Sequence, residues 1–344
     1  MTKPSRWLIV AGLLTIYLVW GSTYLAIRVA VETLPPFLMA GARFLVAGSL
    51  VAAILLVTQK FRATYAQWVW NAGVGCLMLL GGNGLVSWAE QTIPSGIATL
   101  IVSFNPLMMV FAEWCMYRAT NGSKGAKPNA LVFLGLSVGI VGLGLLVGPS
   151  MGTNGGVSYD MLRIGAIVMA CFTWTVGSMM TRYAKTPVDP FTGSAIQMLW
   201  GGVWLVLCGT LLGEWSSTDW NAITTGSFVA WLYLVVAGSL IAFTTFVWLM
   251  KHTSPTLIST YAYVNPVVAV LLGWIVLNES LDSWTLFSAA IIVAGVALIT
   301  IGKGLKKSER SNDSGLNLKK ATSITSPSSD RSMEVNSDSK VSQA

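Results

Sequence analysis

The most unusual side chain in this sequence is Arg43, which stands in the middle of a long apolar run. A basic residue at the centre of such a run costs about 2.5 to 3.5 kcal/mol when the run lies in lipid. A partner or a use should offset that cost. Three interpretations are open: the side chain reaches the lipid headgroups, it pairs with Glu32 or Glu90, or its planar guanidinium binds an anionic ligand.

A second group of candidates follows helical spacing. Asn83, Ser87 and Glu90 are four and three residues apart, which places three polar groups on one stripe of a helix. A later apolar run has Thr244 and Trp248 at the matching positions. Such stripes are typical either of a shared polar cavity or of hydrogen bonds that join helices.

Two Asn-Pro pairs, Asn105-Pro106 and Asn265-Pro266, interrupt apolar runs. Each proline removes a backbone donor and frees a carbonyl, which is tolerated beside a wet cavity or a partner helix. We interpret both pairs as bends beside a cavity, with plain structural kinks as the alternative. Further polar or aromatic candidates on these runs are Ser103 and Tyr263.

Aromatic residues accompany these positions. They could enclose an apolar or aromatic ligand, or a cationic one through their ring faces, whereas core packing is the alternative for each ring. The candidates are Trp20, Tyr24, Trp88, Trp174, Tyr261 and Tyr263.

The elements that must position these residues are membrane-spanning helices. The chain has 344 residues, of which 54% are hydrophobic and only 10% charged, and 13 of the 35 charged residues lie after residue 302. A bilayer needs about 20 consecutive apolar residues per helix. The sequence predicts ten spans near 7–27, 36–57, 68–88, 95–117, 129–148, 161–181, 191–213, 226–250, 256–278 and 284–302.

Basic residues predict the orientation of these spans, because Lys and Arg are retained on the cytoplasmic side. With the amino terminus inside, fourteen Lys and Arg residues fall in inner segments, whereas only Arg28 and Arg163 fall in outer ones. We therefore predict a multi-pass protein of a bacterial inner membrane with both termini in the cytoplasm.

An internal repeat relates the two halves. A shift of 154 residues aligns Trp20 with Trp174 and Arg43 with Gln197, and later prolines align at a shift of about 160. Because each half contains five spans, an odd number, the second half must enter the membrane from the opposite side. Such inverted repeats are typical of secondary transporters with a site between the repeats near the midplane.

Other classes of protein receive little support from the sequence. The four cysteines stand singly in apolar stretches, and His252 is the only histidine, so we expect no metal site, no cofactor and no His-based catalysis. Neither an HExxH nor a GxxxxGK[ST] motif occurs. The basic residues do not form a patch with interleaved aromatics, so nucleic acid is not an expected partner.

The predicted organisation is an all-α membrane protein with repeat 1 at 1–150, repeat 2 at 151–302 and a tail at 303–344. The tail is rich in Ser, Asn, Asp and Lys without apolar periodicity, which predicts a disordered cytoplasmic extension.

Three stretches carry a resemblance to a known family: WGSTYLAIRVAVETLPPFLMAGARFLVAGSL (20–50), GGNGLVSWAEQTIPSGIATLIVSFNPL (81–107) and YAYVNPVVAVLLGWIVLNESL (261–281). They resemble EamA-type members of the drug/metabolite transporter superfamily, and within it the YedA-like group of bacterial inner-membrane proteins. The resemblance implies ten helices in two inverted repeats around a central cavity, and export or exchange of small metabolites, amino acids or drug-like compounds.

We therefore predict a carrier, most simply an exporter, that works by alternating access and is not an enzyme. An uncoupled facilitator, a channel and, less well supported, an intramembrane enzyme are the alternatives. The expected partners are lipid and a small-molecule substrate, with protons as a candidate coupling ion through Glu90 or Glu113. Either a monomer or a homodimer is compatible with the sequence, since Gly135 and Gly139 form a GxxxG pair on a predicted span.

Overall fold

The computed structural model describes residues 4–302 except 94, 104, 153–159, 278–282, 285, 296 and 300. Over these residues the chain is helical and contains no strand. The predicted tail at 303–344 lies outside the described residues, so its disorder stays a prediction.

The helices follow one another with short connections. They are α1 (Arg6–Ala30), α2 (Pro36–Val57), α3 (Tyr65–Ala89), α4 (Ser95–Val102), α5 (Asn105–Ala119), α6 (Ala130–Gly152), α7 (Met161–Arg182), α8 (Pro190–Leu211), α9 (Thr225–His252), α10 (Tyr261–Leu277) and α11 (Leu286–Ile299). Shorter helices cover Glu214–Ser217, Trp220–Ala222 and Pro255–Ile258.

Six of these helices are long and apolar enough to cross a membrane, namely α1, α2, α3, α7, α8 and α9. The prediction of a helical membrane protein is therefore confirmed. Two predicted spans are divided: 95–117 into α4 and α5, and 256–278 into the short helix Pro255–Ile258 and α10. Pro106 is the second residue of α5, where a missing N–H is harmless, whereas Pro266 lies inside α10.

Both α3 and α9 contain a π-helical segment, at Cys76–Gly84 and Leu234–Phe243 respectively. A π segment shifts the faces of a helix relative to α-helical spacing and is frequent at functional sites. The sequence analysis did not predict these segments.

Side chains at the helix starts explain where several helices begin. Thr64 and Gln67 form a capping box at the start of α3. At the start of α2, Pro35 provides no side-chain cap. The carboxylate of Glu214 replaces it, since it accepts hydrogen bonds from the backbone N–H groups of Phe37 (3.1 Å) and Leu38 (2.8 Å). The connection after α8 is thereby attached to α2.

The helices α2 and α8 pack closely and run antiparallel. A methyl group on Gly48 would lie 3.0 Å from the backbone nitrogen of Leu199 and 3.2 Å from the carbonyl oxygen of Ala195. One on Gly202 would lie 3.0 Å from the carbonyl oxygen of Gly41. Small residues thus allow the two backbones to touch, as in many membrane helix pairs.

The GxxxG pair on α6 is used within the chain. A methyl group on Gly135 would lie 2.8 Å from the carbonyl oxygen of Gly295, and Gly139 faces the ring of Tyr263. The same glycines belong to a Gly-x-Ser-x-Gly pattern, which in hydrolases marks a strand-to-helix turn. Here the pattern lies inside a helix, so its glycines serve packing against α10 and the residues around 295.

Two arginines meet at one end of the bundle. Arg28 donates to the backbone oxygens of Glu90 (2.6 Å) and Gln91 (3.0 Å), and Arg163 donates to the backbone oxygen of Trp88. Cations at the carboxyl end of a helix satisfy its free carbonyls and its dipole. We call this the Arg28 end. Its two arginines are the basic residues of the predicted outer segments.

The opposite end carries the connections that contain Lys124 and Lys185. They contact each other, because the backbone N–H of Gly125 donates to the hydroxyl of Tyr183 at 3.0 Å. We call this the Lys124 end. Along the sides between the two ends, large apolar side chains such as Leu18 and Phe172 are 60% and 57% exposed. Such an apolar surface suits lipid rather than water.

Candidate functional site

A cavity with about 650 Å³ of space not filled by protein atoms, part of it open to solvent, lies among α1, α2, α3, α4, α5, α7, α9 and α10. Half of the predicted site residues line it: Trp20, Tyr24, Arg43, Asn83, Asn105, Trp174, Tyr261 and Asn265. Both halves of the chain therefore contribute to its wall.

Arg43 is 2% exposed, so its guanidinium does not reach the lipid headgroups. Its Nε donates to the hydroxyl of Ser239 at 2.7 Å, and its guanidinium carbon lies 4.7 Å from the centre of the Phe44 ring. Nη1 is buried without a hydrogen-bond partner. Of the three interpretations, pairing with Glu32 or Glu90 is not observed among the described contacts of Arg43, and a free donor faces the interior.

Aromatic rings form a continuous cluster on one side of the cavity. The centre of the Trp20 ring lies 4.8 Å from that of Tyr261, 5.1 Å from Phe246 and 5.5 Å from Trp174. The indole N–H of Trp20 donates to the backbone oxygen of Gly238 at 3.2 Å. The cluster therefore connects α1 to α7 and α10 through edge-on ring contacts, which are favourable geometries, and to α9 through a tilted contact with Phe246.

Asn105 connects three helices at the cavity wall. Its Oδ1 accepts from the hydroxyl of Thr175 at 2.9 Å, and its Nδ2 donates to the hydroxyl of Tyr261 at 3.2 Å. The first residue of α5 is thus hydrogen-bonded to both α7 and α10, which belong to the other half of the chain.

The π segments supply cavity residues that the sequence analysis missed. Leu79 and Gly82 come from the first segment, and Gly238 and Phe243 from the second. The glycine-rich stretch 81–84 was a signal for a deviation from α-helical geometry. Other missed lining residues are Thr23, Ile27, Phe44, Val86, Val102, Ala170 and Cys171.

Several predicted residues are placed elsewhere. Ser87 and Glu90 are fully buried and lie outside the lining of the cavity, although Asn83 lines it. Val86 is the last α3 residue in the lining, so the cavity wall ends before Ser87 and Glu90. The ring of Trp88 lies under the guanidinium of Arg163, with 4.4 Å between the guanidinium carbon and the ring centre.

The remaining candidates also lie outside the lining. Ser103 and Thr244 are buried, Trp248 stacks on His252 with ring centres 4.5 Å apart, and Tyr263 packs fully buried against α6. The structure leaves the roles of these residues, and of the two prolines as bends, as predictions.

Gln197, the repeat counterpart of Arg43, lines a second and smaller cavity of about 250 Å³ near the Lys124 end. Its Nε2 donates to Asn71 Oδ1 at 2.8 Å. Lys251 Nζ donates to the backbone oxygen of Thr181 at 2.6 Å on the same wall. Amide and hydroxyl groups thus occupy the place where the central cavity has a guanidinium.

In the part of the chain that the structure describes, no three His, Cys, Asp or Glu side chains come together. The four cysteines, all within that part, are unpaired.

Membrane-length helices around a shared polar and aromatic cavity define a helical membrane protein with an internal cavity. Comparison with known families shows which family this chain belongs to. Residues 7–148 and 161–301 each match the EamA-like transporter family, and the chain is a member of it. The predicted resemblance is confirmed.

Three relatives illustrate the range of similarity. The uncharacterized inner membrane transporter YedA of Escherichia coli (strain K12) is 36% identical over 295 residues, covering 86% of this chain and 91% of the relative. Protein PecM of Dickeya dadantii is 26% identical over 305 residues, covering 86% and 95%. The uncharacterized transporter YvbV of Bacillus subtilis is 23% identical over 309 residues, covering 88% and 94%.

A solved crystal structure is similar to this chain with a TM-score of 0.68 at 23% identity. It covers 86% of this chain and 98% of that chain. At this identity the likeness concerns the fold. The family and the names of the relatives indicate a transporter and not an enzyme.

Proposed function

We propose that this protein is a secondary transporter that moves a small organic solute across the bacterial inner membrane by alternating access, most simply as an exporter. The observation that carries the proposal is the central cavity. Its wall combines Arg43 and Asn83 from the first half with Trp174, Gly238 and Asn265 from the second. A site made jointly by two halves can open to either side when one half moves against the other.

The proposal includes ten membrane helices in two inverted repeats of five. Contacts between α2 and α8 support it. A shift of 154 residues converts Gly48 into Gly202 and Gly41 into Ala195. The close contact of Gly48 with Ala195 therefore becomes the contact of Gly202 with Gly41, and both are present. Exchange of the two halves maps the interface onto itself, as a two-fold axis requires.

The π segments support the same relation. They lie in α3 and α9, which are the third long helices of their halves, and both contribute to the cavity. The segment boundaries differ by 158 residues at the start and 159 at the end (234 minus 76, and 243 minus 84). Equivalent backbone deviations at equivalent places favour two copies of one unit.

We further propose that the Lys124 end faces the cytoplasm, with both termini there, because basic residues are retained on that side. The lining then extends towards the outside, since Ile27 and Val86 each lie three residues before the last residue of α1 and α3 at the Arg28 end. Phe246 of the aromatic cluster lies on the opposite side, one turn nearer to the Lys124 end than Phe243. This arrangement corresponds to an outward-facing state.

The test of this function is counterflow in proteoliposomes made with the purified full-length chain. A panel of labelled amino acids, organic acids and amines is offered outside, and the same compound unlabelled is loaded inside. A carrier accumulates label transiently and saturates with substrate concentration, whereas a channel does neither. Flux that stays linear with concentration and shows no counterflow would contradict alternating access. Protease cleavage of the tail from outside reports which way the protein is inserted in the vesicles. Transport rates compared between the two orientations then measure the preferred direction.

We extend the proposal to proton coupling through Glu90. This residue is 0% exposed, and both carboxylate oxygens are buried without a hydrogen-bond partner. A carboxylate in such a place is costly when charged, so it favours a bound proton. The hydrogen bonds of Arg28 at this place go to the backbone oxygens of Glu90 and Gln91.

The coupling test compares Glu90→Gln with Glu32→Gln, an exposed glutamate near the same end. Transport driven by an imposed pH gradient should be lost in Glu90→Gln and kept in Glu32→Gln, while counterflow without a gradient persists in both. Unchanged gradient-driven transport in Glu90→Gln would remove Glu90 from the coupling step.

A further inference from the structure

The charge of the central cavity is not balanced by its own wall. Arg43 lines it, and no Asp or Glu is among the described residues that do. The contacts of Arg43 are the hydroxyl of Ser239 and the ring of Phe44, both uncharged. A buried charge is retained only when something pairs with it. The described protein does not supply that partner, which leaves a ligand to supply it.

The unused part of the guanidinium faces the right way for a bidentate ligand. Nε donates a hydrogen bond to the hydroxyl of Ser239, whereas Nη1 has no hydrogen-bond partner. Nη2 lies beside Gly238, where a methyl group would come within 2.7 Å of it. A side chain at position 238 would collide with Nη2, so glycine leaves room for the guanidinium. Two adjacent N–H donors match the two oxygens of a carboxylate.

The rest of the wall favours an aromatic or branched apolar body. The rings of Trp20, Trp174, Phe243 and Tyr261 lie on one side. The indole N–H of Trp174 is buried among them, beside Tyr261. An ammonium group would find no carboxylate in the described lining, only the amide oxygens of Asn83 and Asn265, and it would share the cavity with a guanidinium, so a positive charge on the ligand is disfavoured.

We propose that the cavity is a site for small organic monoanions, namely carboxylates with an aromatic or branched apolar body, and that it discriminates against zwitterionic amino acids and cationic amines. The carboxylate occupies the free edge of the Arg43 guanidinium, and the body lies against the aromatic cluster. This inference rests on the proposed function only in using the same cavity.

Binding to the purified full-length chain in detergent tests the inference without requiring transport. Three probes share one phenylethyl skeleton and differ in their charged groups. They are 3-phenylpropionate with a carboxylate, phenethylamine with an ammonium, and L-phenylalanine with both. Quenching of tryptophan fluorescence reports binding, because Trp20 and Trp174 line the cavity. We expect 3-phenylpropionate to bind at least tenfold more tightly than L-phenylalanine and more tightly still than phenethylamine. Equal or reversed affinities, or no binding of 3-phenylpropionate, would overturn the proposal.

A variant set separates charge from folding. Arg43→Gln should weaken 3-phenylpropionate at least tenfold and leave the neutral 3-phenylpropionamide unchanged, and Arg43→Lys should lie between it and the unaltered chain. The control is Arg62→Gln, which removes a positive charge from an exposed connection. Unchanged anion affinity in Arg43→Gln would refute the role of the guanidinium. Failure to bind the amide as well would mark a folding defect, in which case the probe series on the unaltered chain decides.

Failure of the inference and failure of the proposed function give different results. Saturable binding of 3-phenylpropionate without counterflow refutes the carrier and supports the anion site. Counterflow of L-phenylalanine or phenethylamine without binding of 3-phenylpropionate supports the carrier and refutes the anion site.

Discussion

Replacement of Asn105 should test how the two halves of the chain are joined at the cavity. Its side chain makes two hydrogen bonds, one accepted from Thr175 and one donated to Tyr261. Asn105→Ala removes both and leaves two hydroxyls in the interior. Since all three residues are 4% exposed or less, water does not readily replace the lost partner.

The expected magnitude follows from measured hydrogen bonds between membrane helices, which average about 0.6 kcal/mol and reach about 1.7 kcal/mol. Two such bonds give about 1.2 kcal/mol in the free energy of unfolding, or roughly an eightfold change in the equilibrium constant. The loss of packing from a partly polar side chain adds to this value.

A double-mutant cycle isolates the hydrogen bond from the packing loss. Unfolding in detergent is followed for Asn105→Ala, Thr175→Val and the double variant, with a coupling of about 0.6 kcal/mol expected. The matched control is Thr173→Val, because the Thr173 hydroxyl bonds only to its own helix. A coupling indistinguishable from that control would show that the Asn105 to Thr175 bond does not hold α5 against α7.

Three further perturbations test other parts of the structure. Gly48→Leu should separate α2 from α8 and lower the melting temperature in detergent, because the backbone of α8 lies 3.0 Å from a methyl group added at Gly48. Gly73→Ala should leave the melting temperature unchanged, because nothing lies within 4 Å of a methyl group added there. Glu214→Ala should cost about 0.5 to 2 kcal/mol of stability through the lost cap on α2. Burial raises the pKa of the Glu214 carboxyl group. The free energy of unfolding should therefore fall as the pH rises through that folded-state pKa, and Glu214→Gln should lack this pH dependence. The same pH dependence in the unaltered chain and in Glu214→Gln would contradict this expectation. In a background without the native cysteines, Lys124→Cys and Lys185→Cys should react with an impermeant thiol reagent from one side, and labelling from opposite sides would break the inverted arrangement.

The sequence was sufficient for the class of fold and for the general place of the site. Apolar runs of bilayer length predicted the six long helices, since hydrophobicity over about 20 residues needs no tertiary information. Arg43 was identified because a charge in such a run is costly wherever the helix faces. The aligned pair Trp20 and Trp174 indicated a shared cavity, and both rings line it.

Helix interruptions and π segments were decided by tertiary structure. Asn105-Pro106 was visible in the sequence as an interruption, but whether a proline ends, bends or begins a helix depends on which neighbours satisfy the freed backbone groups. The π segments place Leu79, Gly82 and Asn83 of α3 and Gly238 and Phe243 of α9 in the lining, whereas Ser87 and Glu90 lie outside it. How far along a helix the cavity extends depends on the neighbouring helices, which the spacing within one helix does not reveal.

By itself, then, the amino-acid sequence determined that this chain is a helical membrane protein of the EamA-like transporter family and that Arg43 needs a partner. Only the tertiary structure decided what surrounds that charge: the hydroxyl of Ser239, the ring of Phe44 and a buried N–H that remains free. The physical reason is that the cost of burying a charge depends on one residue and its own apolar segment. The groups that offset this cost come from distant parts of the chain: Arg43 and Ser239 are 196 residues apart, and packing brings their side chains to 2.7 Å.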